Sequence, residues 1–410
     1  MKYEKGEILI VSGPAQIKIK KGLCSIIGAE FREGDFTVHK GKSIPVEVME
    51  ESQIEIQGEV KKIPHSTIPE KWKQIVEKFS SDLPKIILVL GEVDTGKTFF
   101  STYLANSFIS RGFKVSMIDC DVGQSDIGPP GTIGLAVFEK PVVFVSELKP
   151  TSLFFLGSHS PGLHLVPAVV GVKELTEMAK EMSDVVIIDT PGWVQGDGGR
   201  LLRTSEIDIL KPDKIILLQR ESELEHLVKR ENPQKIERVH VSKKATSTSD
   251  ADRKLLREKI ASQYYQNLKK IELNFKDIAT DRVFFLTGQR IYPKSVSVLW
   301  AERLSGWEGM LAVTEKPLTF EEQKLLKEEF KVFNVRNILT GKEKNLVVGL
   351  LDNEKNCLGL GIIEKIDWEK EKIILHTPIN KIEKVKIVQF GSIKFSLEMK
   401  EAGFIEPGYF

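Results

Sequence analysis

The segment of residues 91–98, which reads GEVDTGKT, constrains the fold of this chain more than any other part of its sequence. It satisfies the pattern G-x-x-x-x-G-K-[ST], in which glycines let successive backbone N–H groups turn inward around phosphate oxygens. It follows the apolar run of residues 86–90 and precedes a helical run, which is the context that the motif requires. We therefore predict a phosphate-binding loop between a buried strand and the N-terminus of a helix.

This segment, hereafter the phosphate loop, has a chemical task at several positions. Lys97 is long enough to reach the β- and γ-phosphates of a nucleotide, and the hydroxyl of Thr98 is placed to ligate Mg²⁺. The helix N-terminus adds a fixed partial positive charge. The residues predicted to bind the nucleotide are Gly91, Glu92, Val93, Asp94, Thr95, Gly96, Lys97 and Thr98.

The rest of the chain indicates an α/β fold. After residue 85, apolar runs such as KVSMID, DVVIIDT and DKIILLQ alternate with helical stretches, which predicts a mostly parallel sheet with helices on both faces. Short runs of alternating apolar and polar residues towards both ends predict two small β domains. The expected division is an antiparallel β-sandwich or barrel over residues 1–65, a P-loop NTPase domain over 66–305 and a β-rich domain over 306–410.

Aspartates follow two of these apolar runs. One helix and one strand separate Lys97 from Asp121, so Asp121 should return to the sheet edge at which ligands bind. A carboxylate there can bind Mg²⁺ or accept a proton from an attacking nucleophile. Asp189 is expected to support the Mg²⁺ site without being a direct ligand. For Asp119, a role at the ligand-binding edge and a role in capping the turn after its strand fit the sequence equally well.

The composition excludes a chain that attracts polyanions over its whole surface. Lysine and arginine number 59 against 58 aspartates and glutamates, a formal charge of +1. A nucleic acid must therefore be held by a local basic patch. The candidate patch spans residues 226–259 and contains Lys229, Arg230, Lys235, Arg238, Lys243, Lys244, Arg253, Lys254, Arg257 and Lys259.

The cysteines and the apolar runs indicate the cellular compartment of the protein. Cys24, Cys120 and Cys357 lie far apart, which excludes a disulfide framework or a cysteine-rich zinc site and fits a reducing environment. The longest apolar runs fall short of the ~18 residues of a membrane helix, and residues 1–10 lack the apolar stretch of a secretory signal. We expect a cytoplasmic protein without membrane contact.

Four motifs occur in one order along the chain: D-x-D-x-G-Q at 119–124, PPGT at 129–132, FLGSHSPG at 155–162 and DTPGWV-x-G at 189–196. Together with the phosphate loop, they resemble the polynucleotide 5′-hydroxyl kinases. That family includes an RNA kinase subunit of the eukaryotic pre-mRNA cleavage machinery, a nucleolar rRNA-processing kinase and archaeal polyribonucleotide 5′-hydroxyl kinases. The archaeal branch is the most similar to this chain.

The resemblance implies an acceptor site. Asp121 matches the aspartate that activates the 5′-hydroxyl, and such a base is needed because a ribose hydroxyl is almost never ionised at neutral pH. Residues 157–162, hereafter the acceptor loop, match a loop that clasps the terminal nucleotide's phosphate, although the family often has threonine and asparagine where this chain has serines. Trp193 matches a tryptophan that stacks on the first base. The alternative for the acceptor loop is an ordinary surface turn, and the alternative for Trp193 is a tryptophan packed under a loop. The expected nucleic-acid-binding residues are Gln124, Gly157, Ser158, His159, Ser160 and Trp193.

Arg253 and Arg257 lie four positions apart, so they share one face of a helix. The resemblance matches them to a lid that closes over the triphosphate, where guanidinium groups neutralise charge on the migrating phosphoryl group. A solvated charged helix is the alternative. The predicted catalytic residues are thus Lys97, Asp121, Arg253 and Arg257, and the predicted metal-binding residues are Thr98 and Asp121.

The resemblance implies a kinase that uses ATP and Mg²⁺ to phosphorylate the 5′-hydroxyl end of RNA, and also of DNA. It also implies a role in RNA processing, such as tRNA maturation or RNA end repair, with RNA-processing proteins as partners. A non-catalytic ATP-binding scaffold subunit is a second hypothesis. A GTPase-like switch is a third, because D-T-P-G also occurs in GTPases, but no guanine-reading N-K-x-D element follows KIILLQ. The preferences for ATP over GTP and for RNA over DNA stay open, as does the oligomeric state.

Overall fold

The computed structural model describes residues 1–39, 41–241 and 249–410. Lys243 and Lys244 of the predicted basic patch lie outside these residues. The chain forms two compact units, and the three-domain division stays a prediction. No helix among the described residues is both long enough and apolar enough to cross a membrane. The first unit comprises Met1–Asp121, Gly134–Ser152 and Val172–Thr248, and the second comprises Val122–Ile133, Leu153–Gly171 and Ser249–Phe410.

The first unit begins with a curled β-sheet. Ile8 pairs with both Glu47 and Ile63 of the same long strand, so the two longest strands wrap around each other. Side chains alternate between the two faces of a strand, which is why Ile17 is buried and Lys18 is exposed. The strands of this region are β1 (Lys2–Tyr3), β2 (Ile8–Ile26), β3 (Ala29–Phe31), β4 (Gly34–Val38) and β5 (Ser43–Ile63).

The central part of the chain alternates strands with helices. In order, these elements are α1 (Glu70–Ser81), β6 (Ile86–Gly91), α2 (Lys97–Ile109), β7 (Val115–Asp119), β8 (Thr132–Val137), β9 (Ser152–Phe155), α3 (Leu165–Met182), β10 (Val185–Asp189), α4 (Gly196–Leu210), β11 (Lys214–Gln219), α5 (Glu225–Val228), β12 (Ile236–His240) and α6 (Asp250–Tyr264). Most of them belong to the first unit.

The predicted mostly parallel sheet is present in the first unit. Its strands follow the order β12-β11-β6-β10-β7-β8. The first five are parallel to one another, and β8 is antiparallel to β7. Every residue of β6, β7 and β10 is buried, which explains why these strands read as continuous apolar runs without polar alternation. This sheet, with its helices and the β-structure towards both ends of the chain, confirms the predicted fold class.

The second unit is rich in β-structure around an aromatic core. Phe285 and Trp368 are buried there, with ring centroids 5.1 Å apart. Its elements are β13 (Lys269–Asn274), β14 (Ala279–Asp281), β15 (Gln289–Arg290), β16 (Trp300–Leu304), β17 (Gly309–Thr314), α7 (Phe320–Phe330), β18 (Asn334–Leu339), β19 (Leu346–Leu351), β20 (Cys357–Asp367), β21 (Lys372–Thr377), β22 (Ile387–Phe395) and β23 (Glu401–Phe404). One sheet has the strand order β13-β21-β20-β19-β22-β14, with β23 paired to β22, and another has the order β15-β16-β17-β18.

Candidate active site

The phosphate loop joins the end of β6 to the start of α2, as its sequence predicts. Asp94 and Gly96 have φ values of 58° and 86°, so both adopt the left-handed conformation. A Cβ atom at Gly91 would lie 2.5 Å from Oγ1 of Thr95 and 3.0 Å from the carbonyl oxygen of Leu218. Backbone conformation at Gly96 and close packing at Gly91 therefore account for the two glycines of the motif.

Lys97 lies inside the phosphate loop. Its Nζ donates to the carbonyl oxygen of Glu92 at 2.7 Å, and only 8% of the residue is exposed. Burial lowers the pKa of Lys97, while the negative charges of Asp189 and Asp121 act against this shift. A neutral carbonyl is a weaker partner than a phosphate oxygen, so an arriving nucleotide can replace it.

Two hydrogen bonds and one pair of adjacent strand-end residues link the phosphate loop to Asp121. Oγ1 of Thr98 donates to Oδ2 of Asp189 at 2.6 Å. Asp189 lies opposite Asp119 in the register of β10 and β7, and both are buried. Oδ1 of Asp119 then accepts a hydrogen bond from the backbone N–H of Asp121 at 2.9 Å. The fold thus brings the predicted residues Lys97, Thr98 and Asp121 to one edge of the sheet in the first unit.

Asp189, which was expected to support the Mg²⁺ site without being a direct ligand, contacts Thr98 directly. The signal for it was present in the sequence, since an aspartate after an apolar strand ends at the ligand-binding edge of a parallel sheet. The buried carboxylate of Asp119 holds the turn that carries Asp121, which agrees with its alternative interpretation as a turn-capping residue.

Mg²⁺ fits the donor atoms at this edge. Within the described ranges, no three His, Cys, Asp or Glu side chains come together as a metal site. Mg²⁺ in phosphoryl-transfer sites needs no such cage, because it keeps several waters and binds through one or two protein oxygens plus substrate phosphates. The hydroxyl of Thr98 and the neighbouring carboxylates are oxygen donors of that kind.

Trp193 is half-buried and follows a turn that packs on the phosphate loop. A Cβ atom at Gly192 would lie 2.5 Å from the backbone nitrogen of Val93. The indole covers the first turn of α4, where a Cβ atom at Gly198 would lie 2.7 Å from the six-membered ring. The tryptophan is therefore packed on one face, and its partial exposure is compatible with the predicted stacking role.

The acceptor loop lies in the second unit, as do Gln124, Arg253 and Arg257. It begins at Gly157, which has φ = 79°, and a Cβ atom there would lie 2.6 Å from Cα of Gly391 on β22. The carbonyl oxygen of Gly157 accepts from the N–H of Ser392 at 2.7 Å. The start of the loop is thus fixed against β22, and glycine is required there by conformation and by space.

Two serines of the acceptor loop hold its own backbone. Oγ of Ser158 accepts from the N–H of Ser160 at 3.2 Å, and Oγ of Ser160 accepts from the N–H of Gly162 at 3.3 Å. These hydroxyls shape a compact turn, which is the alternative that the sequence left open. Their engagement with the backbone does not exclude phosphate binding, because a hydroxyl that accepts one hydrogen bond can still donate another.

Arg282 anchors the residues that precede the acceptor loop. Its Nη1 and Nη2 donate to the carbonyl oxygens of Leu156 and Phe155 at 2.7 and 2.8 Å. Burial lowers the pKa of Arg282 to about 10. At the other end of the loop, Nε2 of His164 lies 3.2 Å from Oγ of Ser392. Sequence reasoning missed Arg282, and it had no local signal, because the arginine is distant from the loop along the chain.

Arg257 and His159 meet at one carboxylate. Arg257 Nε and Glu401 Oε1 form an ion pair, and His159 Nε2 lies 3.8 Å from the same oxygen. Burial and the positive charge of Arg257 lower the pKa of His159 to about 4. Arg253 is half-buried on the same helix, α6. Sequence reasoning also missed Glu401.

The predicted basic patch is partly neutralised. Arg238 donates from Nε and Nη2 to the two carboxylate oxygens of Glu225 at 2.7 and 2.8 Å, and Arg230 pairs with Asp208 at 3.2 Å. The positive charge of these arginines is therefore shared with acidic side chains of the first unit. Among the described residues, the basic side chains of this patch therefore do not form a continuous stretch of uncompensated positive charge.

The parallel sheet, the glycine-rich loop after β6 and the aspartates at the ends of β7 and β10 define a P-loop nucleotide-binding protein. Residues 91–267 match the family model described as mRNA cleavage and polyadenylation factor CLP1 P-loop. The polyribonucleotide 5′-hydroxyl-kinases of Pyrococcus furiosus and Methanocaldococcus jannaschii are 36% and 33% identical to this chain. These matches cover 79% and 80% of this chain and 91% of each relative. The chain belongs to the polyribonucleotide 5′-hydroxyl-kinase family, which confirms the resemblance predicted from its motifs.

Solved structures support the fold. A chain in the structure of the wild-type Clp1p-Pcf11p (454–563) complex matches with a TM-score of 0.64 at 13% identity, covering 96% of this chain and 97% of that one. A second Clp1p structure, described by its extended interface with Pcf11p, matches with a TM-score of 0.66 at 13% identity and covers 96% of this chain and 98% of that one. At this identity, the likeness concerns the fold alone.

Proposed function

We propose that this protein transfers the γ-phosphoryl group of ATP to the 5′-hydroxyl end of RNA, and of DNA, with the help of Mg²⁺. The observation that carries the proposal is the link from Thr98 to Asp121. It consists of the hydrogen bond from Thr98 to Asp189, the pairing of Asp189 with Asp119 on neighbouring strands and the hydrogen bond from the N–H of Asp121 to Asp119. It sets a carboxylate at the sheet edge that bears the phosphate loop, in a member of a family whose relatives are named as kinases of 5′-hydroxyl groups.

In the proposed reaction, Asp121 accepts the proton of the 5′-hydroxyl while the hydroxyl oxygen bonds to the γ-phosphorus. The bond from that phosphorus to the β,γ-bridging oxygen breaks, and ADP leaves. Lys97 neutralises the β- and γ-phosphate oxygens. Thr98 and Asp121 would hold Mg²⁺, which neutralises further phosphate charge when bound.

The acceptor and lid residues belong to the same proposal. Trp193 would stack on the terminal base, and Gln124 with residues 157–160 of the acceptor loop would hold the terminal nucleotide. Arg253 and Arg257 would offset the charge that spreads over the γ-phosphoryl oxygens. The anchored start of the acceptor loop supports the assignment, because a fixed loop loses little conformational freedom when it binds.

The biological setting is a further part of the proposal. We place the reaction in RNA processing, such as tRNA maturation or RNA end repair. The solved complex pairs Clp1p with Pcf11p, and on that precedent we propose RNA-processing proteins as partners of this chain. The cytoplasmic location stays the prediction made from the sequence.

Incubation of the purified protein with γ-labelled ATP and oligonucleotides tests the activity. We expect label on 5′-hydroxyl RNA and 5′-hydroxyl DNA, with Mg²⁺ required. The matched control is the same oligonucleotide with a 5′-phosphate, which has no acceptor hydroxyl and should stay unlabelled. Release of free phosphate without transfer would indicate an ATPase, and ATP binding without either product would indicate the scaffold subunit; both results would contradict the proposal.

A further inference from the structure

Two crossed ion pairs join α6 to the start of β23. Arg257 and Glu258 are neighbours on α6, and Lys400 and Glu401 are neighbours on the partner segment. Arg257 pairs with Glu401, while Nζ of Lys400 lies 2.7 Å from Oε2 of Glu258. The backbone N–H of Glu401 also donates to Oε1 of Glu258 at 3.2 Å. The predicted lid helix is thus fixed to the β-structure of the second unit at two adjacent positions.

The two ion pairs differ in exposure. The side chains of Arg257 and Glu401 are 17% and 18% exposed, whereas in the second pair Lys400 is 66% and Glu258 9% exposed. An exposed ammonium group stays hydrated when its partner is removed, but a carboxylate removed from beside a largely buried arginine leaves an uncompensated charge. The contact between Arg257 and Glu401 is therefore the one that determines the position of a guanidinium group.

The contact uses the Nε–H of Arg257. A guanidinium group has five N–H donors, and four of them are on the two terminal nitrogens. A carboxylate that binds at Nε fixes the plane of the group and leaves the terminal nitrogens to face another anion. Arg is suited to phosphate because these terminal donors match the spacing of phosphate oxygens.

Glu401 also borders the acceptor loop. Oε1, the oxygen that accepts from Arg257, lies 3.8 Å from Nε2 of His159. The imidazole packs edge-on against Phe395 at 5.8 Å between ring centroids, so its position is fixed as well. With its lowered pKa, His159 is uncharged at neutral pH and does not compete with Arg257 for the carboxylate.

We propose that Glu401 is a positioning residue for the kinase reaction, and that it fixes the orientation of the Arg257 guanidinium while it borders His159 of the acceptor loop. The inference rests on the proposed function, because it requires Arg257 to act on the migrating phosphoryl group. One carboxylate then sets the place of a residue that stabilises the transition state and of a loop that holds the acceptor.

Glu401→Gln tests this proposal, with Glu258→Gln as the matched control. Both substitutions remove one carboxylate charge from the same attachment of α6, but only the first removes the partner of Arg257. We expect kcat to fall about tenfold or more in Glu401→Gln with the KM for ATP changed by less than about twofold. Glu258→Gln should keep kcat within about twofold. Glu401→Asp, which retains the charge, should recover part of the lost rate. It also provides a second test of the proposal if the glutamine variant does not fold.

An Arg257→Ala background separates orientation from general loosening of the helix. If Glu401 acts through Arg257, adding Glu401→Gln to Arg257→Ala should lower kcat by less than about twofold more. A full additional loss in the double variant would overturn the proposal, and so would an unchanged or higher kcat in Glu401→Gln alone. Equal losses in Glu401→Gln and Glu258→Gln would assign both residues to attachment of the helix. Absence of transfer by the unaltered protein would instead remove the proposed function, and this inference with it.

Discussion

The hydroxyl of Thr98, the last residue of the phosphate loop, donates a hydrogen bond to Oδ2 of Asp189 at 2.6 Å. Thr98 follows β6 and Asp189 ends β10, and these two strands lie side by side in the sheet. The contact links the residue expected to ligate Mg²⁺ to a buried carboxylate. It also places that negative charge near Lys97, where it opposes the effect of burial on the lysine pKa.

Asp189→Ala should raise the Mg²⁺ concentration needed for half-maximal phosphate transfer, because the hydroxyl of Thr98 loses the acceptor that orients it. The half-buried hydroxyl that loses its partner should also cost about 1 kcal/mol of stability. A Mg²⁺ titration of the transfer rate is the measurement. Thr190→Val is the control, since Thr190 is buried next to Asp189 but donates to the carbonyl oxygen of Val89. An unchanged Mg²⁺ requirement would mean that the contact has only a structural role.

Lys97→Ala and Asp121→Asn should separate nucleotide binding from chemistry. The lysine substitution should weaken ATP binding and abolish transfer, because the β- and γ-phosphates lose their cation. Asp121→Asn should keep most of the ATP affinity while transfer falls by about 10²-fold or more. ATP titration and single-turnover transfer on the same samples provide the comparison. An Asp121→Asn enzyme with the normal rate at saturating Mg²⁺ would remove Asp121 from the mechanism.

Trp193→Ala should weaken oligonucleotide binding by about 1–3 kcal/mol, nearly independently of the terminal base, because stacking uses the face of the base. The affinity for ATP should hardly change. Trp72→Ala is the control, because Trp72 packs against Phe100 with ring centroids 4.8 Å apart and is buried. Its loss should cost about 3–5 kcal/mol of stability. If Trp193→Ala behaves like Trp72→Ala in thermal unfolding and its folded fraction binds RNA normally, Trp193 has a packing role.

Gly157→Ala should raise the KM for the acceptor oligonucleotide and leave the KM for ATP unchanged. The added Cβ atom would lie 2.6 Å from Cα of Gly391, so the acceptor loop must shift. Gly112→Ala is a matched control, because Gly112 has a similar φ of 87° with open space around its Cβ position. Both variants carry the conformational cost of a left-handed alanine, about 1 kcal/mol. Equal acceptor KM values in the two variants would contradict the assignment of the loop.

Acidification should destabilise the protein through His159. Its folded-state pKa of about 4 lies below the ordinary value of 6.5, so between these pH values the unfolded chain binds a proton that the folded chain does not. The free energy of unfolding should therefore rise with pH from about 4 to 6.5, by up to about 3 kcal/mol from this residue, and level off above. Urea unfolding across this range should show a shallower rise in His159→Gln. An equally steep rise in His159→Gln would contradict this assignment.

Much of the architecture could be predicted from local patterns. The parallel strands were predictable because β6, β7 and β10 are buried on both faces and must be apolar throughout. The long wrapped pair β2 and β5 was predicted as several short strands, since glycines inside them, such as Gly13 and Gly22, read as breaks. The structure continues β2 through Gly13 and Gly22, and β5 through Gly58. Hydrogen bonds between β2 and β5 hold the strands together along their length, and a local sequence pattern cannot reveal such pairing.

The sequence by itself determined the phosphate loop, because its conformation depends on consecutive residues: glycines that permit the turn, a strand before it and a helix after it. Only the tertiary structure decided what surrounds the predicted acceptor residues. Arg257 and Glu401 are 144 positions apart, and Arg282 is separated by 127 positions from Phe155, whose carbonyl it binds. Such contacts form when distant segments pack, because burial and charge compensation within the folded unit determine which residues become partners. A local pattern in the sequence therefore does not reveal them.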